Sequence, residues 1–258
     1  MLAPLSNLKH PLIRYHGGKW RLAERIIDQF PTQYSVYVEP YAGGASVLLR
    51  RAPTEHEVYN DLDGEIFNLF KVLRHQRNEL VAAIRDTAFA EAELSLAFTK
   101  APDLSDVERA RRVLVKAFMG RSTAAATQNF SASFRAITLG PREIRNPGKE
   151  WCEIEDRLVA VAERLRGVNI LNRPALEIIQ SLDSPKTLFY IDPPYMDSQR
   201  DPGKDYSHEM TSEQHRELAE LLCNSSSGSS STCASRRSLG TARTRSKHKS
   251  GSPFAPTC

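Results

Sequence analysis

The stretch with the clearest capacity for chemistry is Thr187-Leu-Phe-Tyr-Ile-Asp-Pro-Pro-Tyr195. A short run of β-branched and aromatic residues reads as a buried strand. It stops at a carboxylate followed by two prolines, which lack the N–H a sheet ladder needs. Asp192, the carbonyl of Pro193, Pro194 and the ring of Tyr195 are thereby gathered at the carboxyl end of a strand, the edge where open α/β sheets bind ligands. A carboxylate and a carbonyl are two rigid acceptors, and an aromatic ring offers a stacking face. Together they suit an amino group on a flat heteroaromatic ring, such as N6 of adenine. A base held in a duplex must be flipped out to reach such a pocket. The plainer alternative is a strand followed by a Pro-Pro turn, with Asp192 as a cap and Tyr195 as packing.

Two glycine motifs precede it. In Ile13-Arg-Tyr-His-Gly-Gly-Lys-Trp20, Gly17 and Gly18 allow a tight turn and close approach of the backbone to a ligand. Tyr15 and Lys19 supply an aromatic face and a cation. Leu22, Ile26, Ile27 and Phe30 form an amphipathic segment, a helix ending before Pro31. In Ser35-Val-Tyr-Val-Glu-Pro-Tyr-Ala-Gly-Gly-Ala-Ser-Val-Leu-Leu49 a strand leads through a glycine loop into a helix. Glu39 and Pro40 stand at the strand end, and Gly43 and Gly44 let the chain pass close beneath a ligand. The spacing is neither that of a dinucleotide fingerprint nor that of a phosphate-binding P-loop. A small cofactor carrying an amino acid and a nucleoside fits better.

Val58-Tyr-Asn-Asp-Leu-Asp63 reads as a second strand ending in acids. Asp61 falls 18 residues after Gly43, close to where a ribose diol is held by a carboxylate. Asp63 is the alternative for that role, and either residue could instead cap the helix 65–74, whose Ile66, Leu69, Phe70 and Leu73 form one apolar stripe. From about residue 70 to 163 the pattern is mostly helical, with a polar interruption over 119–149. Between Arg109 and Lys149 there are nine Lys or Arg and one acid, Glu143. Arg109, Arg112, Lys116, Arg121 and Arg135 are therefore expected to contact nucleic acid; a solvated basic helix is the alternative. A helix over 151–166, a strand over 167–172, a helix over 175–182, and a last helix capped at Thr211 or Ser212 complete the alternation.

The hydrophobic share of 40% fits a globular protein, and there is no apolar run long enough to span a bilayer. Cys152, Cys223, Cys233 and Cys258 are far apart, without metal-ligand spacing, so neither a disulfide framework nor a metal site is expected, and a reducing cytoplasmic setting is. The net charge of +4 hides an asymmetry. Six Lys or Arg and no acid lie beyond residue 223, leaving 29 basic and 31 acidic residues before it. From Asn224 the chain is serine-rich, aperiodic and nearly free of apolar residues, which reads as a disordered and non-native, out-of-frame tail.

Taken in order, Tyr15-His-Gly-Gly-Lys19, Val38-Glu-Pro-Tyr-Ala-Gly-Gly-Ala45, Asn60-Asp61 and Asp192-Pro-Pro-Tyr195 resemble the Dam-type DNA adenine N6-methyltransferases. The resemblance covers roughly residues 10–222. It implies an α/β fold, a Rossmann-like class I methyltransferase sheet with an inserted helical target-recognition domain. Residues 1–70 and 165–223 would form the catalytic domain, 71–164 the insertion, and 224–258 the tail. It implies S-adenosyl-L-methionine as cofactor, held by Tyr15, Gly17, Gly18, Lys19, Glu39, Pro40, Gly43, Gly44, Asp61 and Asp192. It also implies double-stranded DNA as partner, as in restriction-modification, with the flipped adenine held by Asp192, Pro193, Pro194 and Tyr195. Tyr15 stands where that family often keeps Trp. The family's further strands after Leu218–Leu222 have no counterpart here, so a catalytic domain without them is expected. No metal and no membrane are called for, and a monomer is expected. The rival readings are an inactive DNA-binding relic, an amino-group methyltransferase acting on RNA or protein, and a dinucleotide oxidoreductase.

Overall fold

The Gly43-Gly44 loop and the Asp192 carboxylate can share one pocket only if the strands that carry them are neighbours, and the sheet makes them so. The computed structural model describes residues 6, 8–122, 126, 132–139, 144–194 and 210–224. Tyr195 and the expected tail lie outside these, except Asn224, the tail's first residue, which ends the last helix. In chain order the elements are α1 (Ala23–Ile27), β1 (Val36–Glu39), α2 (Ser46–Arg50), β2 (His56–Asn60), α3 (Gly64–His75), α4 (Arg77–Arg85), α5 (Glu91–Phe98) and α6 (Asp106–Met119). There follow β3 (Thr138–Leu139), β4 (Ile144–Arg145), α7 (Pro147–Cys152), α8 (Ile154–Arg164), β5 (Val168–Leu171), α9 (Ala175–Leu182), β6 (Thr187–Phe189) and α10 (Ser212–Asn224).

The main sheet has the order β5-β2-β1-β6, every pair parallel. From β1 the chain steps outward through β2 to β5, then returns to place β6 on the other side of β1. The gap between β1 and β6 is a topological switch point, where the loops leave in opposite directions and open a crevice. The strands read as nearly continuous apolar runs because both faces are covered. Tyr37, Tyr59, Leu188 and Tyr190 point into a core shared with Leu48, Phe70, Phe118 and Leu158. Val38, Val58, Phe189 and Ile191 point to the other face, against Ile178 and Ile179 of α9 and Leu218 of α10.

The polar interruption over 119–149 is described in part. Its described parts include the antiparallel pair β3–β4 and an isolated bridge between Gly120 and Phe134. Phe134 packs on Phe89, with ring centroids 5.1 Å apart, and so serves as an anchor. The expected helix over 151–166 is two helices. Asn146 caps α7, with Pro147 in its first turn, and the chain turns at Glu153 before α8 begins. The buried Trp151 fixes this break by donating from Nε1 to the carbonyl of Thr87 at 2.9 Å.

Candidate active site at the sheet switch point

The period of two along a strand sets the first part of the site. Tyr37 and Glu39 of β1 share a sheet face, as do Tyr190 and Asp192 just beyond β6, and Val38 pairs with Phe189. Continuing that register puts Glu39 beside Tyr190. The Tyr37 hydroxyl donates to Glu39 Oε1 at 2.7 Å, and that of Tyr190 lies 3.5 Å from Asp192 Oδ2. Glu39 is buried and its carboxyl is pushed up to about 7. Burial is the main cause; hydrogen bonds from Tyr37 and the backbone of Leu48 oppose it. Leu48 lies in the first turn of α2, whose N-cap position, Ala45, supplies no side-chain bond, so Glu39 acts as a remote cap.

The end of β2 holds the glycine loop in place, residue by residue. Tyr59 donates its hydroxyl to the carbonyl of Gly43 at 3.0 Å. Asn60 donates to the carbonyl of Pro40 at 2.9 Å. Asp61 Oδ2 accepts from the N–H of Gly43 at 2.6 Å, and its Oδ1 from the N–H of Asp63 at 2.9 Å. Asp63 caps α3, accepting from Glu65 and Ile66. The two acids therefore divide their roles: Asp61 faces the loop and Asp63 starts the helix.

Tyr15 lies across the same loop. A Cβ on Gly43, whose φ is +48°, would come within 2.6 Å of the Tyr15 ring, and one on Gly44 within 3.1 Å of the Tyr15 Cβ. The glycines are thus required by the ring packed on them as well as by backbone conformation. The turn that follows Tyr15 brings Lys19 Nζ to 2.6 Å from Asp192 Oδ2 and 2.8 Å from the carbonyl of Gly17.

Tyr15, Gly17, Gly18, Lys19, Glu39, Pro40, Gly43, Gly44, Asp61, Asp192 and Pro194 line one cavity of about 240 Å³. Pro193 is half-buried between two lining residues, and Tyr195 is outside the described residues. Sequence reasoning missed the far wall, formed by Arg173, Pro174 and Leu176 after β5, by Leu62, and by Met210, Gln214 and Glu217 around the start of α10. The break after β5 at Asn172-Arg173-Pro174 was the available signal, since it too ends a parallel strand at the ligand-binding edge.

The basic residues expected to meet nucleic acid are placed less uniformly. Arg121 is exposed. Arg109 pairs with Glu65 at 2.7 Å, and Arg135 pairs with Glu150 at 3.1 Å while donating to the carbonyl of Phe118. Lys116 is half-buried over the ring of Phe98, 4.9 Å from its centroid, and burial lowers its pKa. Arg112 is buried, paired with Glu108 at 2.7 Å and donating to the carbonyl of Thr99 at 2.6 Å. Arg112, expected to meet nucleic acid, is turned inward, and its guanidinium holds α6 to the chain after α5. The acids that neutralise this cluster lie just outside the counted window or across the fold. The i, i+3 and i, i+4 spacing of Glu108 with Arg111 and Arg112 would have revealed it.

The arrangement is a crevice with carboxylates at its floor, a lysine beside one of them, apolar walls, and a strand-end acid next to a carbonyl. It can hold a small cationic molecule with a flat ring and orient an amino group beside it. Among the described residues no group of three or more His, Cys, Asp or Glu is placed to hold a metal ion, and no helix is long and apolar enough to cross a membrane.

Comparison with known proteins adds three findings. The sequence model of a family described as D12 class N6 adenine-specific DNA methyltransferase matches residues 15–239. A DNA adenine methylase from Haemophilus influenzae is 28% identical over 86 residues, covering 33% of this chain and 30% of that protein. The Type II methyltransferase M.CviBI of Paramecium bursaria Chlorella virus NC1A is 26% identical over 72 residues, 28% of each chain. The alignments therefore span less than a third of either relative.

Proposed function

The chain belongs to the D12 class N6 adenine-specific DNA methyltransferase family, and from that premise we propose that it transfers a methyl group from S-adenosylmethionine to N6 of adenine in double-stranded DNA. The observation that carries the proposal is the position of Asp192. It leaves the end of β6 at the switch point, 2.6 Å from Lys19 and in the same cavity as the glycine loop.

The residues fit the cofactor by their chemistry. Its ammonium and sulfonium are cations, and the cavity floor offers Glu39, Asp61 and Asp192. A carboxylate has about four acceptor positions, so Asp61 can receive a ribose hydroxyl while keeping its two backbone donors. Leu62, Pro174 and Leu176 give apolar walls for an adenine ring. When bound, S-adenosylmethionine supplies an electrophilic methyl group.

The remaining work falls to the protein. The N6 lone pair of adenine is delocalised into its ring, so the amine needs orientation. Asp192 and the Pro193 carbonyl accept its two hydrogens and turn the lone pair toward the crevice. Lys19, 2.6 Å from Asp192 Oδ2, keeps the carboxylate aimed. As nitrogen gains the methyl group it sheds one proton, and Asp192 is the acceptor placed to take it. Positioning and preorganised charge carry most of the rate. The helical insertion over 71–164 is the part we assign to DNA, with exposed Arg121 as its leading phosphate contact.

The test is mass-spectrometric detection of N6-methyladenine in unmethylated DNA incubated with the chain and S-adenosylmethionine, beside Asp192→Ala. Methylation that falls by about a hundredfold or more in the variant is expected. Wild-type protein that methylates RNA or protein but leaves DNA untouched would overturn the substrate assignment.

A further inference from the structure

We propose that Asn60 is a positioning residue that sets the width of the crevice, joining the two loops that face each other across it; this rests on the function proposed above. Asn60 is fully buried at the end of β2. Its Nδ2 donates to the carbonyl of Pro40 and to the carbonyl of Arg173, each at 2.9 Å. Its Oδ1 accepts from the N–H of Arg173 at 3.0 Å. Its own carbonyl accepts from Ala42 at 2.9 Å.

Pro40 and Ala42 begin the loop that carries Gly43 and Gly44. Arg173 begins the opposite wall, which continues through Pro174 and Leu176. The side chains of Tyr59 and Asp61 hold the glycine loop and the Asp61 carbonyl accepts from Asn172 Nδ2 at 2.7 Å, whereas the Asn60 side chain itself bonds to both sides. Two donors and one acceptor on a short, neutral side chain are what the three backbone groups require. Aspartate has the same shape but would turn an oxygen toward two carbonyl oxygens; serine is too short to meet all three. A ligand made of an amino acid joined to a nucleoside touches both walls, so a slip between them weakens the joined ligand more than a fragment that reaches only one wall.

The test is calorimetric titration of the full chain at low temperature with S-adenosylmethionine and with 5′-methylthioadenosine, which lacks the amino acid end. The proteins are wild type, Asn60→Asp, and Ile84→Ala, a cavity variant in α4 outside the pocket lining that lowers the melting temperature. Asn60→Asp is expected to weaken S-adenosylmethionine about tenfold or more, because buried groups lose their partners, and 5′-methylthioadenosine clearly less. Ile84→Ala is expected to bind both as wild type does. If the Asp variant fails to fold by circular dichroism, Asn60→Ser is read in its place. Wild-type affinity in the Asn60 variants, equal loss for both probes, or an equal loss in Ile84→Ala overturns the inference while leaving the proposed function standing. Wild-type protein that does not bind S-adenosylmethionine overturns both.

Discussion

Gly43 and Glu39 show how single residues are constrained by neighbours that lie far away in sequence. A methyl group on Gly43 must accept a left-handed backbone, at a cost of about 1–2 kcal/mol, and must also displace the Tyr15 ring. Gly43→Ala should therefore lower thermal stability and cofactor affinity. In a Tyr15→Ala background the steric share of the loss should vanish, which a double-mutant cycle by thermal denaturation reads directly. Glu39 tests the pocket's electrostatics. Its folded pKa, about 7, lies above the ordinary 4.5, so between those values the native state holds a proton that the unfolded chain has released. Stability falls as pH rises through that window. Glu39→Gln should leave stability nearly unchanged at pH 4.5 and raise it at pH 8, by at most roughly 2–3 kcal/mol, while weakening cofactor binding. Denaturant titration at both pH values measures it; a gain equal at the two would contradict a buried carboxyl that titrates between them.

Among the elements, the parallel strands are held at their starting ends by charge and at their finishing ends by the site. Glu57, only 3% exposed on β2, accepts from two buried arginines: Arg51, just after α2, and Arg164, at the end of α8, the latter at 2.6 Å. Arg164 also donates to the carbonyl of Leu48, and Arg51 lies over the Tyr37 ring, 4.0 Å from its centroid. Removing the carboxylate leaves two uncompensated charges inside. Glu57→Ala should cost about 3–5 kcal/mol of folding stability, measured by denaturant unfolding, whereas Asp63→Ala, which removes the cap of α3, should cost about 1 kcal/mol. Much of the architecture at this scale was legible in the sequence. The strand–glycine–helix run around Gly43, the apolar stripe of α3 and the Asp192-Pro-Pro stop depend on adjacent residues, and local periodicity reports them. The triad of Arg51, Glu57 and Arg164 was not legible, because its partners are distant in sequence and a lone Glu in a strand looks like a surface residue. Asn60 was visible as part of a motif, but two of its three side-chain bonds depend on a loop more than a hundred residues away. The break between α7 and α8 went unread because Trp151 looks equally at home within one long amphipathic helix.

On the scale of the whole molecule, the helical layer and the sheet share a core: Phe118 and Trp151 belong to the same apolar cluster as Tyr37 and Tyr59. The basic residues of that layer are placed in two different ways, Arg112 buried and Arg121 exposed. Arg112→Ala should reduce stability and leave the salt dependence of DNA binding unchanged, since its guanidinium is held by Glu108 and Thr99. Arg121→Ala should weaken DNA binding to any sequence and lower the slope of log affinity against log salt by about one. Fluorescence anisotropy with a mixed-sequence duplex across a salt series separates the two; equal slopes for Arg121→Ala and wild type would remove that residue from the interface. Counting charge along the sequence could not make this distinction, because a count ignores spacing: Glu108, four residues before Arg112 and outside the counted window, is the acid that holds it.

The pairing of Val36 with Thr187 also fixes an order in time. During synthesis β1, β2 and the glycine loop leave the ribosome early, and the helices between β2 and β5 can gather on their own local contacts. The Asp192 carboxylate arrives only with β6, after all of them, and the wall from α10 follows later still. A growing chain can therefore build a cleft well before Asp192 reaches it, when β6 slides in beside a strand made far earlier.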